Sequence, residues 1–559
     1  MNRLAPIVAL VLVAVAANGC GGSNSSNQTG GALKAADINP QPRDKVKDGG
    51  TLRWSVDQFS TQWNYNQVNG PEASTAAVIG GLMPGTVIAD EKGALRPDHN
   101  YVLSWKLTTK PRQVVTYRLN PKARWSDGKP ITWRDYLAQW KALRSPNGPF
   151  QIASSTGYDH IGSVTRGRDD HEVVVTFSTP FGEWQSNFNP LYPAEYNSDP
   201  KKFESGYLSK IPVTAGPFKL GKIDQTAKTV TIVRDPKWWG PPAKLDRIVF
   251  RALDSDAAIN AFVNGEVDIA DVGPSPSNYK RAARRPDGAI REAAGPDFRH
   301  ITFNGSSPML SDVNVRRAIA MAINRDALAR ADLTGLNWPA RTMGNHFLVN
   351  TQLGYRDNAG DVGRYDPAKS RQLLDQAGWK LSGAFRRKGG KTLELRFVIP
   401  SGLQLSRNEG ELVQAMLKDV GVKLDIRTVP TDDFFDKFIE PGNFDLVPFS
   451  WLGTPFPISS AVSIYKKPVR DAKGQLQIQQ NFARLGSAQI DDLMTRALRE
   501  LDFNKARELL NQADKLVWDE VHSLILYQRP SITAVTAKLA NFGSFGFKST
   551  IYQDIGFMK

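Results

Sequence analysis

Leu52, Trp54 and Val56 alternate with polar neighbours from Thr51 onward, the two-residue period of a half-buried strand. The same period, rich in β-branched residues, returns over residues 114–119 and 171–177. Further strands are predicted near residues 215–220, 229–234, 245–252, 267–269, 301–304, 393–398 and 422–426. A helical period takes over at residues 313–324, where Val315, Ile319, Ala322 and Ile323 share a face and Asp312 or Ser311 can cap the start. Helices are also predicted over residues 73–82, 255–263 and 411–420, and from Asp366-Pro367 to near Gly378. Thr132-Trp133-Arg134-Asp135 has the form of a capping box opening a helix to about Leu143. Strands alternating with helices define an α/β protein. No internal repeat is present.

Length changes the picture. The roughly 510 residues from Gly49 onward exceed what one core organises, so two or more lobes are expected. Apolar content of 41% and charged content of 23% are ordinary for a globular chain. The formal charge is +15, but the basic residues are scattered, with the densest cluster at residues 280–285. Dispersed solubilising charge, or attraction to an anionic envelope, accounts for it, and no nucleic-acid partner is expected.

The first 20 residues have their own pattern. Residues 7–17 are almost wholly apolar, Arg3 is the only charge, and the sole cysteine, Cys20, follows Asn18-Gly19. The run is too short to span a membrane, which needs roughly 20 residues, and has the form of a secretory signal. It resembles a bacterial lipoprotein signal, with Ala17 where leucine is usual. Residues 1–19 are then removed, Cys20 is lipidated, and residues 20–48 form a flexible tether. Removing Arg3 leaves +15 − 1 = +14. The expected location is the outer face of the cytoplasmic membrane. A soluble secreted protein with an idle thiol is the alternative; acylation would remove a thiol that an oxidising compartment makes a liability.

Signatures of catalysis are missing. None of the six histidines forms a His-x-x-x-His pair, and there is no Gly-x-Ser-x-Gly elbow and no phosphate loop. The adjacent acids Asp432-Asp433 and Asp491-Asp492 read as helix N-terminal charges. The chain is therefore read as a non-enzyme with no metal and no cofactor.

Nine phrases then occur in order: "GGTLRW", "VVTYRLNPKARWSDGKPITWRDYLAQW", "TAGPFKL", "RDPKWWG", "FVNGEVDIA", "ITFNGSSP", "VNVRRAIAMAINRDAL", "YDPAKSRQLLDQAGW" and "GNFDLVPFSW". Together they resemble the large solute-binding proteins of peptide and nickel ABC importers, family 5, from Gly49 to the C-terminus. The resemblance implies a two-lobed periplasmic-binding-protein-like fold, cluster C type, with an extra subdomain inserted in the N-terminal lobe. Lobe 1 would comprise residues 49–87, 213–300 and 520–559, its insertion residues 88–212, and lobe 2 residues 301–519, with hinge strands crossing near Arg299 and His522. A monomer is expected, with an ABC permease and a small organic solute (peptide-like, sugar-containing or lipid-like) as partners. The same fold serving as a sensor or scaffold in cell-wall or glycolipid assembly is the alternative.

The resemblance also places a cleft. Its expected lining is Gln58, Trp63, Asn64, Tyr65, Asn304, His346, Phe347, Phe449, Trp451, Thr454 and Phe456, with Asn66 and Asn345 as polar neighbours. Peptide-binding members usually carry an aspartate three residues after the tryptophan of the last phrase, paired with the peptide ammonium. Here that position is Thr454, which carries no charge. A buried ammonium without a counter-charge costs several kcal/mol, so a solute neutral at that end is expected.

Overall fold

A single mixed sheet of ten strands runs through the computed structural model, which describes residues 33–470, 474 and 476–559. Residues 1–19, read above as a signal peptide, and Cys20 lie outside the described residues. The strand order is Lys423–Val429, Glu394–Pro400, Leu446–Trp451, Gly288–Phe303, Ser523–Thr536, Ile269–Asp271, Thr51–Val56, Arg247–Ala252, Thr229–Arg234 and Phe218–Asp224. Gly288–Phe303 and Ser523–Thr536 are the long central pair, antiparallel, and each serves both halves of the sheet. Ala294 lies opposite Pro530 and Phe298 opposite Gln528, so Gly295, Pro296 and Asp297 face Arg529 alone. Proline cannot donate to a ladder, and an unequal residue count bends a strand pair. This slip lies a few residues before Arg299, where the resemblance places the hinge.

Two large cores flank it. The first joins Leu52, Phe218, Ile248 and Phe250 to an inserted four-stranded sheet, ordered Val102–Thr108, Val114–Leu119, Glu172–Phe177, Ile161–Arg166. Tyr117, Tyr136 and Phe188 pack ring to ring at its centre, with centroids 4.8 to 6.3 Å apart. The helix Trp133–Leu143 opens with the expected capping box: Thr132 Oγ1 accepts from the Arg134 amide at 3.3 Å and Asp135 Oδ2 from the Thr132 amide at 2.9 Å. The second core lies under Glu394–Pro400 and Leu446–Trp451, with the helices Val313–Ala322, Arg325–Leu333 and Gln404–Asp419. A smaller core joins the helices Pro457–Tyr465, Ala488–Arg499 and Phe503–Glu520.

Three expectations change. The helix predicted to Asn324 ends at Ala322, because Asn324 instead caps Arg325–Leu333 by accepting from the Ala327 amide at 3.0 Å. The helix predicted from residue 411 begins at Gln404, and its added turns carry buried Ser406 and Glu409. The tether does not run free to residue 48. Ile38 and Val46 are buried, the Lys34 carbonyl accepts from the Ala294 amide at 2.7 Å, and Val46 pairs with Met558. Two apolar anchors set among charges and prolines give no periodic signal, which is why this strap reads as linker.

Among the described residues no helix is long and apolar enough to cross a membrane. No group of three or more His, Cys, Asp or Glu among them is placed to hold a metal ion.

Candidate ligand cleft

Strand ends from both halves of the sheet meet at the hinge. Phe298 pairs with Trp451, so Leu452, Gly453 and Thr454 leave the sheet beside Gly295-Pro296-Asp297. A Cβ on Gly453 would stand 2.2 Å from the Pro296 carbonyl oxygen, so only glycine permits this approach of two backbones. From the other half, Trp54 pairs with Ile269 and Asp271 with Thr533, which brings Asp57 and Asp271 to the same edge. The loop at Thr351-Gln352 spans the hinge. Gln528 Nε2 donates to the Gly295 carbonyl at 2.7 Å and to Thr351 Oγ1 at 2.9 Å, and Gln352 Nε2 donates to the Thr454 carbonyl at 3.2 Å.

These ends make an acidic floor. Burial pushes the Asp271 carboxyl up, the Gly273 amide and Arg529 hold it back, and Asp57 and Asp297 push it further. Asp271 nevertheless touches solvent, and a side chain that is both wetted and desolvated lies in a crevice. Burial also raises Asp297, against Arg529 and the Gly453 amide. Asp271 and Asp297 both feel the Arg529 guanidinium, whose Nε is buried without a hydrogen-bond partner.

The second lobe adds an aromatic wall. Trp451 is stacked between His300 and Phe482, with centroids 5.9 and 5.8 Å away and planes within 5° and 9°. Phe449 meets His300 edge-on at 4.3 Å. Trp451 therefore sits in a cluster of the protein's own rings. The apolar surface left open nearby is Leu452, 73% exposed, and Phe435, 42% exposed, whose ring lies 5.7 Å from that of Phe449.

The residues expected at the cleft divide into two sets. Gln58 is exposed just beyond Asp57, while Trp451, Thr454 and Phe456 are half-buried around the loop at the hinge. Thr454 Oγ1 accepts from the Phe456 amide at 3.0 Å and so shapes that loop. In the others the polar atoms are engaged internally or the rings are packed. Trp63 is 2% exposed in the first core. Asn64 donates to the Phe203 carbonyl at 3.1 Å and accepts from the Asn66 amide at 3.1 Å. Tyr65 belongs to another cavity, described below. Asn304 ties the turn at Gly442 and Phe444 by donating at 3.1 and 2.9 Å. His346 is locked between Asp514 Oδ1, 2.7 Å from Nδ1, and the Ser523 carbonyl, 3.2 Å from Nε2. Asn345 holds the same loop through the amides of Phe347 and Leu348, both at 2.9 Å. Phe347 packs on Tyr465 at 4.9 Å, and Phe449 is buried in a satellite core.

Asp57, Asp271, Asp297 and Arg529 escaped the sequence reading. The available signal was an acid at each strand terminus and a Gly-Pro-Asp run inside a strand, features that mark ligand crevices in α/β sheets. A cavity of about 640 Å³ lies elsewhere, between Tyr65, the helix Ala73–Ile79, Arg96–Tyr101 and Ser549–Asp554. Only the first core and its neighbours line it, so lobe movement at the hinge would not close it on a ligand.

A two-lobed α/β fold with a long central strand pair and a crevice at the strand ends is the class these features define. The chain belongs to the bacterial extracellular solute-binding proteins, family 5, whose middle region matches residues 100–473. It is 38% identical over 560 residues to the oligopeptide-binding protein OppA of Mycobacterium tuberculosis, covering 98% of this chain and 93% of that protein. It is 31% identical over 234 residues to the probable monoacyl phosphatidylinositol tetramannoside-binding protein LpqW of the same species, covering 42% of this chain and 36% of that one. Its fold matches the periplasmic EDTA-binding protein EppA with a TM-score of 0.85 and 26% identity, over 95% of this chain and 100% of that one.

Proposed function

We propose that this protein captures a peptide-like organic solute outside the cytoplasm and delivers it to an ABC importer. The observation that carries this reading is the acid placed beside Thr454. The amide of Gly453, the residue before Thr454, lowers the cost of charge on Asp297, and Asp271 feels the charges of both Asp297 and Asp57. A carboxylate on the hinge strand replaces the one lost from the loop. It gives an α-ammonium its counter-charge, contrary to the neutral end expected from Thr454 alone. Leu452 and Phe435 offer apolar contact for the rest of the solute. The similarity to the mycobacterial oligopeptide-binding protein over nearly the whole chain points the same way.

The protein acts as a monomer, anchored by lipidated Cys20 at the outer face of the cytoplasmic membrane. Cys20→Ala should move it from the membrane to the soluble fraction; retention in the membrane would remove the anchor from this reading.

Native mass spectrometry of protein purified from its own host tests the ligand. Discrete extra masses that fragment as peptides support the reading, and clean deletion should abolish uptake of those peptides. A bare mass together with unimpaired uptake overturns it. The partial similarity to the tetramannoside-binding relative favours a second reading, a glycolipid ligand in envelope assembly. A co-purifying acylated glycolipid would select that reading instead.

A further inference from the structure

The lobes also meet away from the hinge strands, through one carboxylate. Glu183 follows the inserted strand Glu172–Phe177 on a segment fixed to the first core. Gln113 Nε2 donates to the Phe181 carbonyl at 3.0 Å, the Phe181 amide donates to Gln113 Oε1 at 2.7 Å, and Phe181 and Trp184 are buried. Across the gap stands the helix Pro457–Tyr465 of the smaller core. Its own N-cap position, Phe456, supplies no capping side chain, and Pro457 has no N–H. The next two amides donate to Glu183 instead: Ile458 to Oε1 at 3.0 Å and Ser459 to Oε2 at 2.8 Å. Ser459 Oγ adds a bond to Oε2 at 2.5 Å. Beside it, the Gly182 amide donates to the Leu498 carbonyl at 2.6 Å, and a Cβ there would stand 2.3 Å from the Glu500 carbonyl oxygen. Leu498 packs against both cores.

From this geometry we infer that Glu183 is a closure latch, a carboxylate of the first lobe that caps a helix of the second only while the lobes are shut. A negative side chain at a helix N-terminus is stabilised by free amides and by the helix dipole. When the lobes part, Glu183 and the amides of Ile458 and Ser459 exchange one another for water. The contact therefore has differential free energy between open and closed states, the requirement for shifting their populations. Arg507, held by Phe503 and the Leu353 carbonyl, partly offsets the burial of Glu183 through its charge. The latch goes beyond capture itself, because it acts on closure whichever solute is bound.

Hydrogen–deuterium exchange on the full chain without added solute tests it, comparing wild type with Glu183→Ala and with the smaller lesion Ser459→Ala. A latch predicts exchange about five- to thirtyfold faster in Glu183→Ala at Ile458, Ser459 and Gly182, the scale of losing a cap. The Gly182 amide is the discriminating site, because its partner is Leu498 and not Glu183. The inserted strand Glu172–Phe177 should exchange as in wild type, and Ser459→Ala should shift the same sites less. Faster exchange confined to Ile458 and Ser459 would mean a local cap and overturn the latch, as would no change. If Glu183→Ala also loosens the inserted strand, Ser459→Ala decides by the same criterion. None of these outcomes depends on the ligand, so a failed latch and a failed ligand assignment are separable.

Discussion

Gly453 and Asp297 carry opposite kinds of information. The glycine is steric: its absent side chain lets the loop after Trp451 lie against the Pro296 carbonyl. Gly453→Ala should cost about 2 kcal/mol, in the range for forced overpacking, and should weaken solute binding as hinge and loop separate. Chemical denaturation checks the first effect and titration with the co-purified solute the second; unchanged values for both would show that the approach is not required. Asp297 is electrostatic. Burial raises its pKa, so the fold disfavours its ionised form, and a neutral isostere relieves that cost. Asp297→Asn should leave stability at neutral pH unchanged or slightly higher while weakening binding of an ammonium-bearing solute at least about tenfold. Opposite signs in the two measurements identify a binding carboxylate; equal affinity would place the counter-charge elsewhere. The sequence made Thr454 visible as a gap in the family pattern. It did not make Asp297 visible, because the relation between them is a cross-strand pairing across some 150 residues of chain.

At the scale of elements, local signals were legible where local interactions decide. The Thr132 capping box, the Asp366 cap and the helix Ser255–Val263 all follow from nearest neighbours. Thr132→Ala should cost about 1 kcal/mol in denaturant unfolding, the usual value of an N-cap. The helix Gln404–Asp419 was read seven residues short because Ser406 and Glu409 are polar on a buried face. They are there for Arg299: Glu409 accepts its Nε at 2.8 Å and its Nη2 at 2.5 Å, and Ser406 accepts Nη2 at 2.8 Å. Asp332, from the helix Arg325–Leu333, meets Glu409 acceptor to acceptor, a contact that only a shared proton makes favourable. Burial first, then Glu409, pushes its pKa well up. A raised folded pKa means that the unfolded state releases this proton first. The associated stability is full below the ordinary carboxyl range and is lost as pH rises toward the folded value. Asp332→Asn removes that slope. The variant should match wild type near pH 4 and exceed it increasingly toward pH 8 in thermal unfolding; parallel curves would show that Asp332 is ionised in the fold.

The whole molecule is least legible from periodicity, since its ten-stranded sheet is built from pairings distant in sequence. Length pointed to two or more lobes and the ordered run of nine phrases to how they are divided, but neither said anything about the strap that precedes them. Yet residues 33–48 join the N-terminal approach to both the hinge strand and the C-terminus. Asp37 accepts from the Glu292 amide at 3.2 Å and pairs with Ser544, Arg43 donates to the Gln553 carbonyl at 2.9 Å, and the Asn541 amide donates to the Asn39 carbonyl at 3.0 Å. The covering residues across the strap include Gly546, where a Cβ would stand 2.2 Å from the Ala35 carbonyl oxygen. Ile38 and Val46 each bury a side chain, a gain of about 1.5–3 kcal/mol apiece before ordering costs. A chain starting at Leu33 should therefore unfold at the temperature of one starting at Cys20, whereas one starting at Gly49 should unfold several degrees lower. Exchange at the Ala294 amide, which donates to Lys34, should rise only in the shorter chain. Equal melting temperatures for all three would make the strap an ornament of the surface. The predicted ordering makes it part of the folded body, fastened to the long central strand Gly288–Phe303.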